Sequence, residues 1–269
     1  MSAVETAGLD PYWVEAFNTA EESENKIHDN DVARKFGFSG GLVPGVDVYA
    51  YMTHLPVQRW GRAWLERGAA TCRFNKPVYN GDIAVVAATE TEDGLTIEVA
   101  SRDETCAIGT ARLPEAGTPP SPAEFAAVAV PEARPAATET SLAQGRWLNT
   151  RPVLVTADLA DRYLSDLRET ETLYAREGIA HPGLILRLCN WALSHNVVLG
   201  PWIHAGSTVR HLGIARIGES LTARARVTGN DDRKGHRFVD LDVLVLANER
   251  PVASVQHTAI WRPRQLEAA

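Results

Sequence analysis

Pro44-Gly45-Val46-Asp47-Val48-Tyr49-Ala50-Tyr51-Met52 and Pro182-Gly183-Leu184-Ile185-Leu186-Arg187-Leu188-Cys189 are two versions of one phrase. Each leaves a Pro-Gly pair and runs on almost without polar residues. The reading is a helix over Val46–Leu55 and another over Leu184–Ser194, each with so little polar face that it must be enclosed. Outward from these helices, further landmarks repeat. Arg73-Phe74-Asn75-Lys76-Pro77-Val78 leads to Gly81-Asp82, and Arg210-His211-Leu212-Gly213-Ile214 leads to Gly218-Glu219. Arg to Gly is eight residues in both copies, Gly45 to Gly81 spans 36 and Gly183 to Gly218 spans 35. Three landmarks in one order at near-equal spacing indicate a duplicated unit.

The rest of each copy is strand-like after the helix. Leu95–Val99, Ser220–Val227 and Val239–Val243 alternate apolar and polar residues at period two, the pattern of antiparallel strands with one wet face. Glu92-Asp93-Gly94, Arg233-Lys234-Gly235 and Asn248-Glu249-Arg250 supply the turns. Ahead of each enclosed helix the sequence predicts a shorter one. Asp10 caps the first with Pro11 in its opening turn, and Thr156 caps the second over Ala157–Leu167. Between the copies, Pro114, Pro119, Pro120, Pro122, Pro131 and Pro135 rule out long helix or strand. The expected organisation is a unit over 1–113, a Pro/Ala-rich connection over 114–145 and a second unit over 146–269. One long apolar helix wrapped by an antiparallel sheet is the hotdog architecture. The expected fold is therefore α+β, a tandem or double hotdog with the two sheets joined edge to edge.

The length of 269 residues suits two units of roughly 100–150 residues each. A net charge of −7 argues against binding a phosphate backbone, so no nucleic-acid partner is expected. No apolar run approaches the roughly 18 residues that cross a bilayer, so no membrane partner is expected. Met1 to Asp10 lacks the basic-then-apolar pattern of a secretory signal. Cys72, Cys106 and Cys189 are odd in number and widely spaced, which fits a reducing, cytoplasmic setting better than a disulfide framework. No histidine pair at i, i+4 lies beside a carboxylate, so no metal is expected.

The first copy carries a resemblance. Asn25-Lys26-Ile27-His28-Asp29, then Ala33-Arg34-Lys35-Phe36-Gly37-Phe38, then Gly40-Gly41-Leu42-Val43-Pro44-Gly45 resembles the MaoC-like dehydratases and (R)-specific enoyl-CoA hydratases. Arg73-Phe74, Pro77-Val78 and Gly81-Asp82 resemble that family's later strand motif. The resemblance implies an acyl-thioester enzyme in which an Asp and a His activate water for addition to a trans-2-enoyl thioester. Amides at the start of the enclosed helix would stabilise the thioester oxygen. His28 stands at the His position. The Asp position is Ser23, flanked by Glu22 and Glu24, and the His of the family's His-Gly pair is Pro44. In the second copy the aligned positions are Glu169 and Tyr174. A carboxylate is thus kept in one copy and an imidazole in the other.

The candidate catalytic residues are His28, Glu24 and Glu169. The candidate substrate contacts are Asn25, Gly45, Val46, His181, Gly183 and His204. Each has a plainer alternative: a loop histidine, surface glutamates, helix–strand packing at the glycines, hydrogen-bonded core histidines at 181 and 204. His204 and Ser207 also form a possible nucleophilic pair. Gly37–Gly41 is no phosphate loop, since Lys-Ser/Thr does not follow. Arg233-Lys234-Gly235-His236-Arg237 reads as a solvated hairpin, with coenzyme A phosphates as the other option. Three functions stay open: hydratase or dehydratase on an acyl-CoA or acyl-carrier-protein ester, hotdog thioesterase, or non-catalytic acyl-CoA binder. No cofactor is expected beyond coenzyme A within the substrate. The chain is expected as a monomeric pseudo-dimer or a homodimer.

Overall fold

The computed structural model describes residues 9–264, so most of the Met1–Asp10 stretch read for a secretory signal lies outside the described residues. The first half runs β1 (Tyr12–Glu15), α1 (Asn30–Lys35), α2 (Gly45–Trp60), α3 (Arg62–Arg67), β2 (Ala69–Phe74), β3 (Ile83–Thr91), β4 (Gly94–Ser101) and β5 (Glu104–Arg112). The second runs β6 (Trp147–Asn149), β7 (Val153–Leu154), α4 (Ala157–Asp166), α5 (Leu173–Glu177), α6 (Pro182–Ser194), β8 (Ile203–His211), β9 (Ser220–Arg233), β10 (His236–Ala247) and β11 (Arg250–Arg262). All strands belong to one antiparallel sheet of order β1-β3-β4-β5-β2-β8-β11-β10-β9-β6, with β7 also on β9. Read outward from the centre, the two halves repeat one order. They meet where β2 pairs β8, Ala69 opposite Arg210 through Arg73 opposite Gly206. The molecule is a double hotdog with its sheets joined edge to edge.

The repeated landmarks do the same work in both halves. Gly81 and Gly218 sit at φ +80° and +92°, a left-handed turn that glycine enters without a Cβ penalty. Ala16 exchanges backbone bonds with Gly81 and Asp82, and Val155 exchanges the same bonds with Gly218 and Glu219. Val43 N–H donates to the Val78 carbonyl as Ala180 N–H does to Ala215. Both central helices are enclosed as their apolar runs require: every residue from Val46 to Val57 is buried, and α6 buries nine of its thirteen.

One expectation needs revision. The helix placed after Asp10 is instead the strand β1, paired with β3 from Tyr12 opposite Val86 to Glu15 opposite Ile83. Tyr12-Trp13-Val14-Glu15 alternates buried and exposed, and its aromatic and β-branched side chains suit a pleated surface better than a short helix. The capping signals at Asp10 and Pro11 were weaker than that period of two. The proline-rich connection between β5 and β6 packs on the second half. Arg224 donates to the carbonyls of Pro122 and Phe125, Arg134 to that of Ser194, and Phe125 is buried against Leu244 and Leu246. The helix capped by Thr156 forms, its hydroxyl accepting from Leu159 N–H.

Candidate active site

The Asn25–Asp29 segment is shaped by local capping. Lys26–His28 makes one tight turn whose cap is Asn25, and Asp29 then caps α1, accepting from the amides of Asp31 and Val32. The loop closes on Gly41, where a Cβ would lie 2.1 Å from the His28 carbonyl oxygen, so only glycine allows this approach. Asn18 Nδ2 donates to the same carbonyl at 2.8 Å. These contacts hold the His28 ring between the loop and the start of α2.

His28 has a defined tautomer. Its Nδ1 lies 2.7 Å from the Leu42 carbonyl, which only accepts, so Nδ1 carries the proton. Nε2 is therefore the acceptor, and its lone pair takes a hydrogen bond from Asn25 Nδ2 at 3.3 Å. Burial lowers the ring's pKa, against the opposing pull of the Leu42 bond and Asp47, so the imidazole is neutral near pH 7. Asn25 also exchanges two bonds with the second half, donating to the Trp202 carbonyl at 2.9 Å and accepting from Trp202 N–H at 3.2 Å.

Two cavities meet at this point. An inner one of about 230 Å³ is lined by Ile27, Phe38, Leu42, Val48, Phe74 and Ile260, and is mostly apolar. An outer one of about 610 Å³ is lined by Thr19, Glu24, Arg134, Arg151, Arg187 and His195, and is mostly polar. Asn25, His28, Pro44, Asn190 and Trp202 border both. Gly45 and His204 line the inner cavity, while Val46 and Ser23 line the outer. The site is thus built from both halves, the loop and helix start from one, α6 and the start of β8 from the other.

The two carboxylates closest in sequence to the ends of the His28 loop, Glu24 and Asp47, are both engaged. Glu24 is exposed and paired with Arg134 at 2.7 Å, which holds its carboxyl below the usual range. Asp47, in the first turn of α2, is fully buried. It accepts from Thr19 Oγ1 at 2.5 Å, Tyr163 Oη at 2.8 Å and Arg187 Nη2 at 2.7 Å. Each central helix carries one charge within its apolar run, Asp47 in one and Arg187 in the other, and the two pair across the halves. Sequence reasoning passed over them, although a lone charge in an apolar helix signals a buried partner.

The remaining candidates belong to a second cluster. Glu169 is buried, its Oε1 2.7 Å from His54 Nδ1 of α2 and its Oε2 3.5 Å from His181 Nε2. Desolvation raises its pKa, but the bonds from His181 and His54 outweigh that and hold the carboxyl well below its ordinary range. Tyr12 stacks on His54 at 3.8 Å, and Tyr174 lies 4.6 Å from His181, so side chains fill this position. His181 caps α6, its Nδ1 accepting from Gly183 N–H at 3.1 Å. A Cβ on Gly183 would lie 2.3 Å from Tyr163 Oη and 2.7 Å from Ala50 Cβ, so this glycine lets the two central helices touch. Glu169 and His28, the carboxylate and imidazole kept in different copies, are therefore not brought together. The Arg233–Arg237 turn joins β9 to β10, with Arg233 paired to Asp231 and Asp240.

No protein-family model matches the sequence, and no curated protein matches it. Solved structures are similar in fold. A Chloroflexus aurantiacus protein assigned as a MaoC-domain dehydratase superposes with a TM-score of 0.63 at 12% identity, over 95% of this chain and 94% of that one. A Mycobacterium tuberculosis protein described as a double hotdog gives 0.61 at 13%, over 94% and 96%. A Novosphingobium aromaticivorans protein assigned as a thioesterase gives 0.52 at 10%, over 94% and 96%. Likeness at this identity establishes the double hotdog fold.

Proposed function

We propose that this chain binds an acyl thioester of coenzyme A or acyl carrier protein between its halves and interconverts trans-2-enoyl and 3-hydroxyacyl esters. The observation that carries the reading is the position of His28, a neutral imidazole with its Nε2 lone pair where an apolar cavity meets an arginine-bearing one. The inner cavity suits an acyl chain. At about 230 Å³ it is smaller than the roughly 300–1,000 Å³ of sites for drug-sized ligands, which favours short chains. The outer cavity suits a phosphorylated carrier through Arg151, since Arg134 and Arg187 are already paired with Glu24 and Asp47.

In the hydration direction, His28 Nε2 takes a proton from water as the water oxygen bonds to C3. The C2–C3 π electrons move toward the thioester oxygen, which rests at the start of α2. The proton is then returned to C2, giving the 3-hydroxyacyl ester. No intrahelical acceptor exists for the first amides of α2, so Gly45 and Val46 are suited to hold that oxygen. Asn25 holds the ring through its bond to Nε2, and the water reaches that nitrogen by displacing the Asn25 N–H.

A second reading, a thioester binder without turnover, rests on Ser23, which cannot act as a carboxylate base. Loss of conjugated-thioester absorbance with crotonyl-CoA and longer trans-2-enoyl-CoA decides between them. Turnover that falls in His28→Ala supports the hydratase. Binding without turnover supports the binder, and release of free thiol indicates a thioesterase.

A further inference from the structure

A second imidazole faces the inner cavity. His204, at the start of β8, is 6% exposed and packs edge-on to Phe74 at 4.8 Å. Its Nε2 is 2.8 Å from Ser207 Oγ, and the same oxygen is 3.0 Å from His257 Nδ1 on β11. The two rings lie 4.3 Å apart. Its other nitrogen, Nδ1, is buried and makes no hydrogen bond to the protein. A Cβ on Gly45 would lie 3.0 Å from that nitrogen, so Nδ1 is aimed at the opening of α2, where the helix amides also point. A buried polar atom without a partner calls for an explanation.

Proton counting limits what Nδ1 can be. Burial and the neighbouring His257 lower the pKa of His204, against the Gly206 backbone, and burial pushes His257 down to about 3, so both rings are neutral. Ser207 has one proton to give. If it donates to His204 Nε2, it accepts from His257 Nδ1–H, and His204 carries its own proton on Nδ1. In the reverse arrangement His204 Nδ1 is bare and the outward N–H moves to His257 Nε2, which is equally buried and unpartnered. Only the first arrangement gives the cavity a donor.

We infer that His204 is a second catalytic residue, its Nδ1–H donating to the thioester carbonyl oxygen beside the amides of Gly45 and Val46, with Ser207 and His257 positioning it. This rests on the thioester reading of the cavity. As electron density moves onto the oxygen during addition at C3, the bond from His204 strengthens. No proton need leave the ring. The arrangement supplies from the second half part of the stabilisation that the first half provides through one helix end.

The test uses the full chain with isotope-labelled histidine and butyryl-CoA, a saturated thioester with the carbonyl but no double bond to hydrate. The resonance missing in His204→Phe is assigned to His204. The expected result is an Nδ1–H tautomer that moves downfield at saturating ligand. With crotonyl-CoA, His204→Phe is expected to lose about 10²-fold or more in kcat with KM little changed, as for one lost oxyanion donor. His204→Gln, which keeps an N–H, should recover part of it. Ser207→Ala should lower kcat and weaken the downfield shift. A bare Nδ1 in the bound form, a resonance unmoved at saturation, or no binding of butyryl-CoA overturns the inference. Wild-type turnover with an unmoved His204 fails the inference alone. A shifted His204 without turnover fails the hydratase reading alone.

Discussion

At the scale of single residues, the question is how a site whose carboxylates Glu24 and Asp47 are both engaged handles water. His28→Ala removes the basic nitrogen set where the two cavities meet. Its hydration rate is expected to fall by about 10²–10⁴-fold, as for a lost general base, with butyryl-CoA affinity changed little, measured by calorimetry. Ser23→Asp supplies a carboxylate at the outer cavity, where the serine hydroxyl now lies 3.4 Å from the Asn25 carbonyl. It is expected to raise the hydration rate and to raise the His28 pKa, visible as a shift in the pH–rate profile. That Asn25, His28 and Gly45 border one cavity was legible because a single segment carries them. The bonds behind His204 were not, since Ser207 is close in sequence but His257 is fifty residues away on another strand. Glu169 was legible as a position, yet its partners His54 and His181 come from the two central helices and no local pattern joins them.

At the scale of elements, the two Pro-Gly helix openings look alike and differ in what surrounds them. Gly183→Ala would press a methyl into Tyr163 and Ala50, and overpacking of this kind costs about 1–3 kcal/mol. Tyr163 is also tied to Asp47, so the strain reaches the buried ion pair. Gly45→Ala meets the edges of His204 and Phe74 at 3.0–3.2 Å, which are cavity walls. Chemical denaturation should show a clear loss for Gly183→Ala and a much smaller one for Gly45→Ala. The latter should instead weaken thioester binding. The central helices, α4 and the strands β4, β9 and β10 were legible because their apolar runs and periods are written locally. β1 was not, because four residues beside an Asp-Pro pair satisfy a helix start as well as an edge strand, and pairing with β3 decides the matter.

At the scale of the whole molecule, buried histidines tie stability to pH. His204, His211 and His257 lie in the interior, and burial lowers the pKa of each, to about 4 for His211 and about 3 for His257. An unfolded chain takes up protons on these rings near pH 6.5, whereas the folded chain resists until much lower pH. The unfolded state therefore binds more protons in that window, and stability falls as pH drops below about 6.5. Glu169 adds to the loss at lower pH, because its depressed carboxyl stabilises the fold only while ionised. Tryptophan-fluorescence melts are expected to show the midpoint declining from about pH 6.5, well above where carboxylates alone would act. His211→Phe should soften that decline.

The sheet's two outer strands are short, four residues in β1 and three in β6, while the longer β2 and β8 are hidden against each other. Shielding of these two long edges therefore depends on the seam staying shut. If one half melts while the other stands, a bare strand edge opens at the middle of the molecule, and such an edge recruits strands from other chains. The hazard in a concentrated solution is partial melting rather than complete unfolding. Aggregation should follow the opening of a single half and accelerate with concentration before the global transition begins.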